Sequence, residues 1–265
     1  MKTKELFAGR TKSDIKLILK SAGAALLSFV FGAAQLFGTI SPFGTAVVSG
    51  LPVQYAVAGS VGAIVGSILF LPSGRTFSVI AAILLILAQK FLLARALKRK
   101  LNPGFLCLIT FSSNAVVTIA YGFMHPVRLT DLLLLCIEVL LASSFTYFFS
   151  LSGDILLRKR KVAPLSYAQN ASLCILFISG LCALANFTIW NLNLGVIVSV
   201  VAIYIAIYRY GIFGGCFCTV MAAIGLNLSN LNLMNVAGIL IAAAFIAGAF
   251  SPLRKLGIAA SFIGI

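Results

Sequence analysis

Charged residues are scarce in this chain of 265 residues, and acidic residues are the scarcest. Only 9% of the residues are charged and five are acidic, whereas 61% are hydrophobic. A soluble domain is about one quarter charged, because its surface must meet water. The shortage of charge therefore excludes an ordinary soluble domain and indicates a chain that lies in lipid.

Most enzymatic chemistry is absent as well. The sequence has no phosphate-binding loop, no G-x-S-x-G, no H-E-x-x-H and no paired carboxylates. Its one histidine, His125, falls in a loop beside Pro126 and Arg128, where a lone imidazole is usually just solvated. The six cysteines lie within apolar stretches, as small packing residues do, and not at metal or redox spacings. No catalytic, cofactor-binding or metal-binding residue is predicted.

Basic residues, by contrast, are present in number. Twenty Lys and Arg residues give a formal net charge of +15. They stand in short clusters between long uncharged stretches, which is the arrangement that orients a membrane protein. This pattern argues against a nucleic-acid partner and predicts a lipid bilayer as the surroundings of the chain.

The uncharged stretches divide into membrane spans. No charged residue occurs from Ser21 to Gly74, a stretch far longer than the ~20 residues that one span needs, and proline and glycine divide it. We predict an all-α polytopic membrane protein, with residues 1–20 as a basic cytoplasmic tail, 21–265 as a transmembrane helical domain, and no soluble domain. The ten complete spans predicted are 21–37, 43–51, 54–71, 77–93, 105–123, 132–151, 171–187, 194–207, 211–228 and 236–250, and a partial span begins at 256.

The basic clusters set the predicted orientation. The heaviest are the N-terminal tail, 90–100 and 158–161, and the positive-inside rule places all of them in the cytoplasm. An even number of spans must then separate the tail from 90–100. The short segment 43–51, stretched to about 41–53, is therefore predicted to be a thin or tilted span. Of the basic residues, only Arg75 and Arg128 are then predicted to lie on the extracytoplasmic side.

Glu138 is the candidate intramembrane polar site. It falls within the run 132–151, where a charged carboxylate costs about 3 kcal/mol, so we expect it to be protonated, paired or beside a water-filled cavity. A proton or cation relay is one interpretation, and an interhelical partner for a polar group is the other. Lys90 lies near the inner end of its span, and its stem is expected to reach the cytoplasmic headgroups.

Small residues mark the predicted helix contacts, because they let helix backbones approach closely in lipid. These contacts form either within the chain or between copies of it. The segments 55–59 and 210–214 share the pattern Tyr-x-x-x-Gly, a hint of a parallel internal repeat. Asparagines such as Asn186 and Asn193 cluster at predicted outer span ends, where they suit helix capping. The predicted packing residues are Gly59, Gly62, Gly66, Gly214 and Gly215.

Several segments taken in order resemble a known family. They are Ser41-Pro42-Phe43-Gly44 with Gly50-Leu51-Pro52, the small-residue span from Tyr55 to Leu71, Cys136-Ile137-Glu138, the basic loop near 158–161, and Tyr210-Gly211-Ile212-Phe213-Gly214-Gly215-Cys216. Together they resemble the N-terminal membrane region of stage II sporulation protein E, the membrane-anchored phosphatase of endospore-forming bacteria. The resemblance covers most of the chain.

The resemblance implies a function and a continuation of the chain. In that family the membrane region places a cytoplasmic PP2C-type serine/threonine phosphatase domain, which binds Mn or Mg, at the asymmetric division septum, and a linker engages cell-division proteins. This sequence stops within an apolar run, so we expect a truncated form without a cofactor of its own. The expected role is anchoring, localisation and self-association in the bacterial plasma membrane. The alternative is a secondary transporter or permease with Glu138 as its coupling carboxylate.

Overall fold

The computed structural model describes residues 2–97, 101–124, 128–157, 165–190 and 192–249. In these ranges the chain is mostly helical, as the all-α prediction requires, with one small β-hairpin. The elements are α1 Lys2–Gly32, α2 Pro42–Gly50, α3 Val53–Phe70, α4 Ser73–Leu97, α5 Pro103–Met124, α6 Leu129–Leu157, α7 Tyr167–Leu184, β1 Thr188–Ile189, β2 Leu192–Asn193, α8 Leu194–Ser229, a 3-10 turn Leu231–Leu233, and α9 Met234–Ala249.

The described residues form two compact units. Unit 1 contains the chain up to Ala33 and from Pro42 to Ser172, and unit 2 contains Ala34–Ser41 and the chain from Leu173 onward. Unit 1 is therefore built from α1 to α6. Most of α7, the β1–β2 hairpin, α8 and α9 belong to unit 2.

Helices α1 and α3 of unit 1 pack closely and in parallel. A methyl group added at Gly62 would overlap the backbone carbonyl of Ala25, and one added at Gly66 would overlap the carbonyl of Phe29. Because the contact positions advance together along both helices, the helices run in the same direction. The chain between them, 33–52, must return to the side from which α1 started, which agrees with the return that the charge argument required.

Helix α2 makes part of this return and lies at the centre of unit 1. Its nine residues are all buried, and it contacts α1, α3, α4, α5 and α6. Phe43 packs among Phe31, Phe145 and Phe149, with ring centroids 6.1, 4.7 and 6.4 Å away. A helix of this length rises about 14 Å, half of the hydrocarbon core of a bilayer. The predicted thin span at 41–53 thus contains a short buried helix flanked by non-helical backbone, and its role as a membrane crossing stays a prediction.

Helix α8 of unit 2 folds back on itself at Gly211. This residue has φ +66° and ψ −159°, a conformation essentially restricted to glycine, and it interrupts the helix. Gly215 then lies against Ile207, and Gly195 lies against Leu226, so the two parts of α8 pair in antiparallel order. The two predicted apolar runs on either side of this residue correspond to these two parts.

Seven helices within the described ranges are long and apolar enough to cross a membrane. The apolar part of α1, Leu17–Gly32, is shorter, and α1 runs unbroken from Lys2, so most of the predicted tail is helical and continuous with the first predicted span. The count of about ten spans and the cytoplasmic N-terminus remain predictions. The basic cluster 158–161 and the partial span from 256 lie outside the described residues.

Candidate functional site

Lys90 lies on the buried face of α4, and only 1% of its surface is exposed. Its Nζ atom donates hydrogen bonds to the backbone carbonyl oxygens of Val48 at 3.0 Å and Ser49 at 2.7 Å, and to that of Leu51. These carbonyls belong to the C-terminal end of α2 and the residue that follows it. The same face of α4 carries the apolar residues Val79, Ile83 and Ile86.

The Lys90 ammonium group caps the C-terminus of α2. The last carbonyls of any helix have no partner within the helix, and in a wholly buried helix they have lost water as well. A cation at this end also meets the negative end of the helix dipole. One side chain thus supplies both the hydrogen-bond donors and the charge that the end of α2 requires.

The prediction that Lys90 reaches the cytoplasmic headgroups is wrong. Side chains on an α-helix point toward its N-terminus, and Lys90 lies late in α4. Its stem is therefore directed back along the helix, where the carbonyl oxygens of α2 receive it. Snorkelling requires a stem that points toward the water-facing end of its helix, and that condition is not met here.

Glu138 is paired with Arg75. The Nη1 atom of Arg75, in the first turn of α4, lies 3.2 Å from Oε2 of Glu138 on α6. The two side chains are 26% and 16% exposed, so water screens this pair less than a surface pair. Pairing is one of the states that the sequence argument allowed for Glu138. Arg75, expected in an outer loop, lies instead in a helix.

A small cavity between α2, α4, α5 and α6 borders the ion pair. Its volume of about 30 Å³ gives room for about two water molecules. Thr45, in the first half of α2, lies on its wall. The other polar lining residues include Arg75, Ser78, Asn114, Tyr121 and Glu138.

Metal-ligating side chains do not gather in groups of three or more anywhere in the described ranges, and His125 lies outside those ranges. The cysteines are free thiols, and the buried Cys182 has its Sγ atom 3.6 Å from the carbonyl oxygen of Gln35. The charged features described in unit 1 are the Lys90 cap at the C-terminal end of α2 and the Arg75–Glu138 ion pair between α4 and α6.

The predicted packing glycines all face neighbours within the chain. On α3, Gly59, Gly62 and Gly66 face α1 and the residue after α2. On α8, Gly214 and Gly215 face the part of the helix that precedes the break. These positions therefore bring parts of one chain together, and the described contacts occupy the space that an added side chain would need.

Sequence reasoning missed the cap and the identity of the ion-pair partner. One signal for the cap was present, because Lys90 falls in helical register with the apolar face that includes Ile83 and Ile86. A lysine in that register is directed into the protein. No comparable signal linked Arg75 to Glu138, since 63 positions separate them in the sequence.

Comparison with known proteins identifies the chain. A family model described as SpoIIE, N-terminal domain, matches residues 2–264. No curated protein and no solved structure matches the chain significantly. The match covers the short buried helix, its Lys90 cap and the Arg75–Glu138 pair, and it confirms the resemblance to stage II sporulation protein E. The chain therefore belongs to the SpoIIE N-terminal domain family.

Proposed function

We propose that this chain anchors a sporulation protein in the bacterial plasma membrane and localises it to the asymmetric division septum. The observation that supports this most strongly is the family match over residues 2–264, together with the long apolar helices. Anchoring acts through insertion and helix packing, so it needs no catalytic residue. The buried α2 helix with its Lys90 cap gives unit 1 a fixed internal structure for that role.

The proposed arrangement puts the tail and the basic loops in the cytoplasm, as the distribution of Lys and Arg favours. A PP2C-type phosphatase domain with its own Mn or Mg site would then act on the cytoplasmic side, and cell-division proteins would engage that cytoplasmic part. We include self-association in the proposal. Exposed aromatic residues on α8, such as Phe213 and Phe217, offer apolar surface to lipid or to a second copy.

Fluorescence microscopy of sporulating cells tests the localisation. The chain is fused to a fluorescent protein, and an unrelated polytopic membrane protein with the same fusion serves as the control. We expect the chain to concentrate at the asymmetric septum while the control outlines the whole membrane. Equal distribution of the two fusions would contradict the proposed localisation and leave only a general membrane anchor.

A secondary transporter with Glu138 as its coupling carboxylate has less support. The carboxylate is engaged by Arg75 at 3.2 Å, and the neighbouring cavity of about 30 Å³ has room for about two water molecules. The gene sequence beyond codon 265 distinguishes the two functions. An in-frame linker and a domain with spaced aspartates supports anchoring, whereas a stop codon beside a transporter-like gene favours transport.

A further inference from the structure

One end of unit 2 has an apolar surface that lacks charge. Six large apolar side chains at this end are between 53% and 95% exposed. No Lys, Arg, Asp or Glu occurs in Ala34–Ser41, between Lys161 and Arg209, or between Arg209 and Arg254. The six residues form what we term the apolar rim and are Phe37, Ile189, Trp190, Leu192, Leu231 and Met234.

Hydrogen bonds hold the segments of the apolar rim at the same end of unit 2. The backbone N–H of Phe37 donates to the carbonyl of Leu228, in the last turn of α8, at 2.8 Å. The Oγ atom of Ser229 lies 3.1 Å from Oδ1 of Asn186, just before the β1–β2 hairpin. The loop 34–41, the hairpin and the end of α8 are therefore neighbours, and the 3-10 turn follows α8 directly.

Neither the conformation of the turn nor core packing explains why a tryptophan, Trp190, occupies the tip of the hairpin. Its φ of +52° is in the left-handed region, where a bulky aromatic residue is an outlier, and two-residue hairpin turns favour Asn, Asp and Gly. It is 95% exposed, so it fills no core position. Its side chain is presented outward, on a hairpin whose base is fixed by the Asn193 cap of α8.

The lengths of α7 and of the first part of α8 indicate the depth at which the tip of the hairpin lies in the membrane. The 18 residues of α7 rise about 27 Å, slightly less than the thickness of a bilayer hydrocarbon core, and the part of α8 before Gly211 is of similar length. Neither helix is long enough to lift the hairpin clear of the membrane surface. With α7 spanning the bilayer, the tip would lie at the level of the lipid headgroups, where tryptophan is enriched in membrane proteins.

We infer that the hairpin with Trp190 at its tip is an interfacial lipid-binding element, which inserts into the headgroup and upper acyl region of the leaflet at which α7 ends. The indole ring packs against acyl chains while its N–H donates to headgroup oxygens. Ile189, Leu192 and the other members of the apolar rim widen the inserted surface. This inference does not depend on whether the protein is localised to the division septum.

Depth-dependent fluorescence quenching tests it on the unaltered chain, because Trp190 is the only tryptophan in the sequence. The chain is reconstituted into phosphatidylcholine and phosphatidylglycerol vesicles that contain lipids brominated near the headgroup or near the chain end. We expect emission that is blue-shifted from that of tryptophan in water, strong quenching by bromines near the headgroup, and weak quenching by aqueous acrylamide.

Two variants calibrate the depth. In W190F/I205W the single tryptophan replaces a half-exposed residue well inside α8, and lipids brominated near the chain end should quench it best. In W190F/F37W it probes the second loop of the apolar rim and should behave as Trp190 does. Quenching of Trp190 by acrylamide but not by brominated lipid would overturn the inference in favour of exposure to water. Protection from both quenchers would overturn it in favour of a protein contact.

Discussion

The Nζ atom of Lys90 lies 2.7 Å from the carbonyl oxygen of Ser49, and the same ammonium group also donates to the carbonyls of Val48 and Leu51. Irregular backbone at membrane depth is tolerated only where it is buried in protein or lines a cavity. The end of α2 meets that condition because it is buried in protein. In addition, α4 supplies a cation, Lys90, that donates hydrogen bonds to its carbonyls. The short helix can therefore lie wholly inside unit 1 with the carbonyls of Val48, Ser49 and Leu51 hydrogen-bonded at this end.

Replacement of Lys90 by Met should destabilise the protein strongly. Methionine has a similar length but no donor, so buried carbonyl oxygens at the end of α2 lose their partner, at an expected total cost of about 2–4 kcal/mol. K90R should have an intermediate effect, because a planar guanidinium does not converge on three carbonyls as an ammonium group does. The midpoint of unfolding in mixed detergent micelles measures the loss.

Arg95 offers the matched control for Lys90, since it is an exposed basic residue on the same helix. R95M removes one positive charge from α4 without removing a buried donor. Its unfolding midpoint should stay near that of the unaltered chain. Equal losses in the unfolding midpoint for K90M and R95M would mean that stability depends on the positive charge of α4 and not on the hydrogen bonds that Lys90 donates to α2.

The ion pair between Arg75 and Glu138 should show coupling in a double-mutant cycle. R75Q and E138Q each leave one partly buried charge without its partner, whereas the double variant removes both charges. Because the side chains retain 26% and 16% exposure, we expect a coupling energy of only about 0.5–1 kcal/mol. Additive losses in unfolding free energy would show that the two residues do not interact in the membrane.

E138Q also distinguishes the relay interpretation from the structural one. Glutamine preserves the shape of the side chain but cannot exchange a proton. If Glu138 acts only as the partner of Arg75, sporulation and localisation of E138Q should be near normal in cells. A severe loss of sporulation with unchanged stability would instead support a relay function for this carboxylate.

Replacement by alanine should destabilise the protein at Gly62 and stabilise it at Gly122. G62A places a methyl group onto the carbonyl of Ala25, so it should separate α1 from α3 and cost about 1–3 kcal/mol. G122A meets nothing within 4 Å and should stabilise α5 by up to about 1 kcal/mol through helix propensity. Thermal unfolding of both variants measures the contrast, and equal effects would contradict the close α1–α3 contact.

Reporter fusions test the predicted orientation. A reporter placed after Arg128, at the start of α6, should give an extracytoplasmic readout, and one placed within 158–161 should give a cytoplasmic readout. The parallel arrangement of α1 and α3 requires the segment 33–52 to reverse the chain, so a fusion within 71–73 should match the readout at Arg128. A cytoplasmic readout at either of these two positions would refute the charge-based map.

The arrangement of helices along the chain was largely predictable, because composition determines it. Pro52 and Pro72 precede the first residues of α3 and α4, and the interruption at Gly211 coincides with a predicted boundary between runs. Asn193 caps α8 by accepting from the N–H of Val196, as the asparagines at span ends suggested. Local chemistry sets all of these features.

The length of α2 and the partners of the charged residues were not predictable in this way. Hydropathy and charge predict the side to which the chain returns, but not how much of the return is helical. The direction of the Lys90 stem depends on its position late in α4, and its partners depend on where α2 ends. Those relationships arise from packing between segments that are distant in sequence.

Gly211 provides the sharpest test of the fold of unit 2. No neighbouring atom lies within 4 Å of a methyl group added there, so any loss in G211A comes from the backbone conformation, φ +66° and ψ −159°, which costs a non-glycine residue about 1–3 kcal/mol. G238A, on α9, also meets open space and should be neutral or stabilising. Lower stability of G211A with faster hydrogen exchange around Ile207 would show that the reversal of α8 depends on this glycine, and unchanged exchange would contradict it.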